Sequence, residues 1–357
     1  MVRVARESSS LMRIGILDQS PVRSGGTPAE AVHETLELAR AADRWGYHRY
    51  WLAEHHSTPG LAGASPEVLI AQVAAVTSHI RVGSGGVMLP HYSALKVAEQ
   101  FRMLETLHPG RIDLGIGRAP GSDQRTARIL RHGPGALGLE DYPRQIQDLV
   151  AFLHDDLPPE HPWRGVHAMP AGPSVPEVWL LGSSDESARL AAQLGQAFCF
   201  AHFINERGGA EVTRAYRARF CPSPDLPAPR SSVAVFAVCA EAETEARRLA
   251  RSRDLFIVRL YTGRPGPYPS VEEAEAYPYN AQELAIAQHA SRRSVVGTPE
   301  QVRERLLGMA ADYQADELII VTITHDFKAR LRSYELLAEA FELKPRSDAP
   351  AAALSRA

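Results

Sequence analysis

Short apolar runs of strand length alternate with amphipathic stretches of helical period along nearly the whole chain. That alternation constrains the fold more than any other feature. Eight runs read as strands, at 13–17, 50–53, 80–88, 112–116, 177–181, 197–201, 233–239 and 317–323. Several are rich in Val and Ile and lack polar alternation, the pattern of strands buried on both faces of a parallel sheet. Helical patterns fill the gaps. The stretch 28–45 has Thr27 as an N-cap ahead of Pro28 at the first helical position. The stretch 65–78 opens with the same Ser-Pro signal, and 93–107 is stopped by His108-Pro109-Gly110. Helical patterns follow at 140–154, 184–194, 207–220, 241–260, 298–312 and 327–341.

Strand then helix, through eight strands, is the grammar of a single (β/α)8 barrel of the α/β class, the TIM barrel. The alternative is a doubly wound open sheet, whose badge is a glycine fingerprint after the first strand. There the chain reads Asp18-Gln19-Ser20-Pro21 instead. Gly115-Ile116-Gly117 follows the fourth run, but the third glycine, Gly121, is one residue late and no helix is expected to open there. Neither a linker-like composition shift nor a short internal repeat divides the chain. One barrel domain over 12–345 is therefore expected, with flexible termini at 1–11 and 346–357. The stretch 261–279, YTGRPGPYPSVEEAEAYPY, breaks the rhythm between strands 7 and 8. It is either a surface excursion or an active-site lid.

Composition narrows the class of function. The 357 residues carry 39 Lys+Arg against 42 Asp+Glu, a formal charge of -3, which argues against a dedicated nucleic-acid binder. The three cysteines, Cys199, Cys221 and Cys239, are widely spaced and form neither a disulfide framework nor a zinc set. A reducing, cytoplasmic home is the simplest fit. The first ten residues lack the apolar centre of a secretory signal, and no apolar run approaches the ~18 residues of a membrane helix.

In a barrel, chemistry sits at the C-terminal ends of the strands and in the loops beyond them. Glu54-His55-His56 follows the second run. Adjacent residues in extended backbone point to opposite sides, so the two imidazoles do not easily share a metal ion, and no metal site is expected. One imidazole facing the mouth suits general acid–base work. A hydrogen-bonded structural pair is the alternative. Gly117-Arg118-Ala119-Pro120-Gly121 follows the fourth run, where an arginine among glycines suits a phosphate or a simple surface turn. Gly182-Ser183-Ser184-Asp185-Glu186-Ser187 follows the fifth, where a helix start offers backbone N–H groups and hydroxyls to an anion. Ser183 and Glu186 also fit a capping box that needs no ligand, and Asp185 and Glu186 would have to point away from a phosphate. The third run ends in Ser84-Gly85-Gly86-Val87-Met88, where glycines admit something flat or mark a kink. Beyond the sixth run, His202 is the residue expected to face the mouth, with Phe203 beside it. A phosphate clamp, a glycine-lined slot and a titratable histidine together suit a phosphorylated planar cofactor such as FMN.

With those residues in view, the chain resembles the bacterial luciferase-like flavin monooxygenases. The resemblance is carried by Trp51-Leu52-Ala53-Glu54-His55-His56-Ser57, by the stretch 81–90, by Gly110-Arg111-Ile112-Asp113-Leu114-Gly115-Ile116-Gly117-Arg118, and by Gly297-Thr298-Pro299-Glu300. It runs from about Arg13 to Phe341. It implies a (β/α)8 barrel, a homodimer, and FMN used in reduced form with dioxygen. It places the catalytic acid–base on His55, the phosphate on Arg118, Ser184 and Ser187 beside Ser183, and a non-prolyl cis peptide under the flavin ring at Gly85–Gly86. This chain has Ser183 where the family has a glutamate, Gly117 where the family has a cysteine and His202 where the family has a pocket tryptophan. The last two departures reshape the space beside the ring, so light emission from a long aldehyde is not expected. The expected reaction is oxygenation of a small apolar or aromatic organic substrate, with His56, His202 and Phe203 in its pocket. Reduced flavin would come from a separate reductase, since the chain lacks a nicotinamide fingerprint. Nucleic acid and membrane partners are not expected. The rival readings are a deazaflavin-dependent dehydrogenase of the same superfamily, a flavin-binding protein without catalysis, and, more distantly, a metal-dependent barrel hydrolase.

Overall fold

The computed structural model describes residues 12–131 and 138–346. The expected tails at 1–11 and beyond Arg346 lie outside them. Eight parallel strands close into a barrel: β1 (Arg13–Asp18), β2 (Arg49–Leu52), β3 (Arg81–Met88), β4 (Ile112–Gly117), β5 (Glu177–Gly182), β6 (Ala197–Ala201), β7 (Ser231–Cys239) and the last strand of the chain, β9 (Glu317–Val321). Each of β1 to β6 pairs with the next, β6 pairs with β7, β7 with β9, and β9 returns to β1. These are the eight runs read from the sequence, with ends shifted by a few residues.

The ninth strand, β8 (Ser294–Gly297), is additional. It pairs with Phe236–Cys239 of β7, beyond the stretch Ser231–Ala234 that β6 occupies. Only four residues long, it lies inside the excursion between the seventh and eighth barrel strands. That excursion is larger than the sequence pattern predicts. It comprises α8 (Glu243–Tyr261), α9 (Val271–Ala276), α10 (Ala281–Arg292), β8 and α11 (Pro299–Tyr313).

The crossovers are α1 (Pro28–Trp45), α2 (Pro66–Ala75), α3 (Ala94–Leu107), α5 (Tyr142–His154), α6 (Asp185–Gln193), α7 (Gly209–Ala218) and, after β9, α12 (Phe327–Ala340). A short helix not expected from the sequence, α4 (Gln124–Leu130), opens soon after Gly121. Asp123 caps it by accepting from Arg125 and Thr126 N–H groups. The start of α1 follows its sequence signals: Thr27 and Glu30 form a reciprocal capping box around Pro28. It ends at Gly46, whose left-handed φ of 89° lets its N–H return to Ala42 and Asp43 carbonyls.

Strand residues divide between two cores. The outward faces, with Ile14, Ile16, Tyr50, Val82, Ile112, Leu114 and Ile320, pack under the helices. The inward faces fill the barrel, where Leu17, Trp51, Trp179, Cys199, Phe236, Ile319 and Val321 form a second cluster. Toward the N-terminal ends of the strands the interior is charged. The Arg49 guanidinium donates from Nε to Glu317 at 2.7 Å and from Nη1 to Asp113 at 2.5 Å, and it stacks 4.7 Å from the Trp179 ring centroid. Arg81 also reaches Asp113, and Arg230 reaches Glu177, each at 2.6–2.8 Å. The arginines around Glu177 hold its pKa down to about 2 despite its burial. A plug of this kind closes one end and leaves the C-terminal mouth for chemistry.

Candidate active site

Two cavities open at the C-terminal mouth and share the wall formed by Phe203 and Ile204. The inner one, of 220 Å³, lies on the barrel interior and is lined by Gly85, Gly86, Gly117, Arg118, Ser183, Ser184 and Ser187, among others. The outer one, of 480 Å³, is lined by His55, Gln19, Phe236, Arg253, Phe256 and Tyr268, among others.

The floor of the inner cavity is glycine by necessity. The peptide bond between Gly85 and Gly86 is cis, at the position the family resemblance implies. A Cβ on Gly85 would come within 2.5 Å of Leu17 Cδ1, and one on Gly86 within 2.6 Å of the Gly115 carbonyl oxygen. No side chain fits there, and the two glycines line the cavity as bare backbone.

The rim carries the elements expected from the sequence to meet an anion. Ser184 is the N-cap of α6 but makes no capping hydrogen bond, and no capping box forms between Ser183 and Glu186. The first N–H groups of α6 are thus not spent on a cap. Ser187 is buried against Gly182, and Asn205 Nδ2 fixes the Ser183 carbonyl at 2.9 Å. Arg118 stands opposite and forms an ion pair with Glu186 in the first turn of α6. Glu186 does not point away, as a free phosphate clamp would need. The set Gly85, Gly86, Arg118, Ser183, Ser184 and Ser187 is brought together around one cavity. These residues fit a flavin phosphate and ring, with Glu186 competing for the arginine.

Glu54 organises the neighbouring loop. Fully buried, it accepts from Tyr92 Oη at 2.7 Å, from the Met88 N–H at 3.0 Å and contacts His56 Nε2 at 2.7 Å. One carboxylate therefore ties the loop after β2 to the end of β3, next to the glycine floor. The two adjacent imidazoles diverge. His56 goes to Glu54, whereas His55 lines the outer cavity. Its Nδ1 is buried and has no hydrogen-bond partner among the described residues. Burial, aided by His56, pushes the His55 pKa down to about 4, so the ring is neutral near pH 7.

Two expected pocket residues find partners elsewhere. His56 lines neither mouth cavity, because Glu54 holds it. His202 lines neither, because its Nδ1 is 2.8 Å from Tyr313 Oη of α11. Phe203 lines both. The stretch 261–279 is no remote excursion. Tyr261, Pro265 and Tyr268 form part of the outer cavity, and Tyr268 exchanges backbone hydrogen bonds with Val22 and Ser24. Its ring stacks on Phe256 at 3.9 Å.

Sequence reasoning missed Glu54 as an organiser and Arg253 and Arg293 as cavity residues. Arg253 was legible in principle: it falls on the same stripe of α8 as Leu249 and Phe256, where a surface helix would place an apolar residue.

The family model for luciferase-like monooxygenases matches residues 12–315. A luciferase-like monooxygenase of Escherichia coli (strain K12) is 41% identical over 329 residues, covering 92% of this chain and 96% of that one. The N-acetyl-S-alkylcysteine monooxygenase of Bacillus subtilis (strain 168) is 39% identical over 332 residues, covering 92% and 98%. Among solved structures, apo-MsnO8 is 43% identical and superposes with a TM-score of 0.86, covering 94% of this chain and 100% of that one.

Proposed function

Because this chain belongs to the luciferase-like monooxygenase family, we propose that it binds reduced FMN in the inner cavity and oxygenates a small organic substrate held in the outer one. The observation that carries this reading is the juxtaposition of the two cavities: one with Gly85 and Gly86 on its floor and Arg118 and the start of α6 on its rim, which shares Phe203 and Ile204 with a chamber lined by His55. Bound in reduced form, FMN would supply the two electrons with which dioxygen is divided between product and water.

The chain's own residues supply the rest. Arg118, Ser187 and the start of α6 hold the phosphate; Gly85 and Gly86 admit the ring. Phe203, Phe236, Phe256, Val321 and Ile323 exclude water from the substrate side. His55, whose ring is neutral near pH 7 and lines the outer cavity, accepts a proton as the substrate reacts and returns it afterwards. We place the protein in the reducing cytoplasm, as a homodimer served by a separate flavin reductase. All three cysteines are free, and no described helix is long and apolar enough to cross a membrane.

The test is a titration with FMN and with a deazaflavin side by side, followed by turnover with a flavin reductase, air and candidate substrates. FMN is expected to bind and the deazaflavin to bind poorly; the reverse would overturn the assignment. His55→Gln is expected to keep FMN affinity and lose about 10²-fold or more in oxygenation. Unchanged turnover would remove His55 from the chemistry.

A further inference from the structure

The outer cavity contains two buried cations that the proposed flavin site does not use. Arg253 of α8 is 5% exposed and Arg293, between α10 and β8, is 4% exposed. Both are anchored at one junction. Arg253 Nη1 donates to the Ala290 carbonyl at 3.2 Å and to Ser294 Oγ at 3.1 Å, and its guanidinium lies 4.1 Å from the Phe236 ring centroid. The Arg293 backbone N–H donates to the same Ala290 carbonyl, and its Nη1 donates to the Ile204 carbonyl. Arg293 Nε is buried without a partner. Among the described residues neither arginine has an ion-pair partner, in contrast to Arg118 with Glu186.

The remaining charges compensate only in part: Asp254, next in the chain, attracts Arg253 without pairing with it. Asp254 turns to Ser291 Oγ at 2.7 Å. Asp123, the one carboxylate in the cavity lining, caps α4 with one oxygen and accepts from Thr126 Oγ1 with the other. His55 is neutral. Two guanidiniums out of water and facing only neutral acceptors are costly, and burial pushes the Arg253 pKa down. The planar fork of arginine is matched by a carboxylate. The rest of the lining is largely apolar, with Leu61, Phe236, Phe256, Val321 and Ile323.

We propose that the substrate is an organic acid whose carboxylate is held by Arg253 and Arg293, its apolar remainder lying across the cavity toward His55. The proposal rests on the outer cavity being the substrate chamber, and it replaces a purely apolar substrate with an amphipathic anion. A cavity of 480 Å³ suits a small molecule rather than a peptide or polymer.

The test compares octanoate and 4-phenylbutanoate with their primary amides by calorimetry, on the parent protein and on Arg253→Met, Arg293→Met and the two Arg→Lys variants. The parent is expected to bind the acids about tenfold or more tighter than the amides. The Met variants are expected to lose that preference with amide binding and FMN affinity kept, and the Lys variants to recover part of it. If a Met variant melts early, sulfate competition on the parent decides: sulfate should displace the acids and leave the amides. Acids that bind no tighter than amides, or not at all, overturn the proposal, as does a preference that survives in folded Met variants. A parent that prefers acids but ignores FMN would overturn the flavin reading and leave this one standing.

Discussion

At the scale of single residues, the pair Arg118–Glu186 is the informative one. Both side chains are partly exposed, so the pair itself adds at most about 1 kcal/mol to stability. Its consequence is for binding. The carboxylate occupies the guanidinium that a phosphate would use, and it repels the phosphate as well. On the proposed flavin site, Glu186→Gln should tighten FMN binding by about three- to tenfold, whereas Arg118→Ala should weaken it by about tenfold or more. Fluorescence titration of both variants checks the signs. Equal affinities in parent and Glu186→Gln would mean that the phosphate lies elsewhere. At this scale the sequence was legible where backbone geometry alone decides. Adjacent extended residues must diverge, and His55 and His56 do. It was illegible where a distant partner decides: Tyr313 claims His202 from 111 residues away.

At the scale of elements, strands β3 and β4 are the least tolerant part of the barrel. They approach so closely that a Cβ on Gly115 would lie 2.1 Å from the Ser84 carbonyl oxygen, and one on Gly83 2.3 Å from the Asp113 carbonyl oxygen. The obstacle in both cases is backbone, which cannot rotate away as a side chain can. Gly115→Ala is therefore expected to destabilise the fold by about 1–3 kcal/mol or more, read as a lowered urea midpoint. An unchanged midpoint would show that the two strands can separate at little cost. All eight barrel strands were legible as buried apolar runs, because burial on both faces leaves its mark on composition. Strand β8 was not: four residues, SVVG, between a helix end and a capping box carry too short a pattern. The helices α4, α9 and α10 were missed for a related reason. The first two are seven and six residues long, and α10 follows a Pro- and Tyr-rich stretch that reads as a loop.

At the scale of the whole molecule, stability and chemistry occupy opposite ends of one barrel. The N-terminal end is held by Arg49 between Glu317 and Asp113, all three side chains fully buried. Trp51 Nε1 adds a hydrogen bond to Asp113 at 2.9 Å. The pairing with Arg49 keeps Glu317 ionised, its pKa lowered against the opposing effect of burial. Removing the arginine strands that carboxylate, with Arg13 and His48 no nearer than 3.5 Å. Arg49→Ala should therefore cost about 3–5 kcal/mol of unfolding free energy. Taking the partner away as well removes the stranded charge, so Arg49→Leu combined with Glu317→Leu should cost less than Arg49→Ala alone, despite replacing two buried groups. Arg49, Asp113 and Glu317 line neither mouth cavity, and of the described residues in this network Trp51 alone reaches the inner one. FMN affinity and acid preference, measured on the folded fraction, should accordingly be the same in both variants and in the parent. If Arg49→Ala lowered FMN affinity in protein that remained folded, the plug would be coupled to the mouth through Trp51 and Trp179, and the division of the barrel into a stability end and a chemistry end would fail.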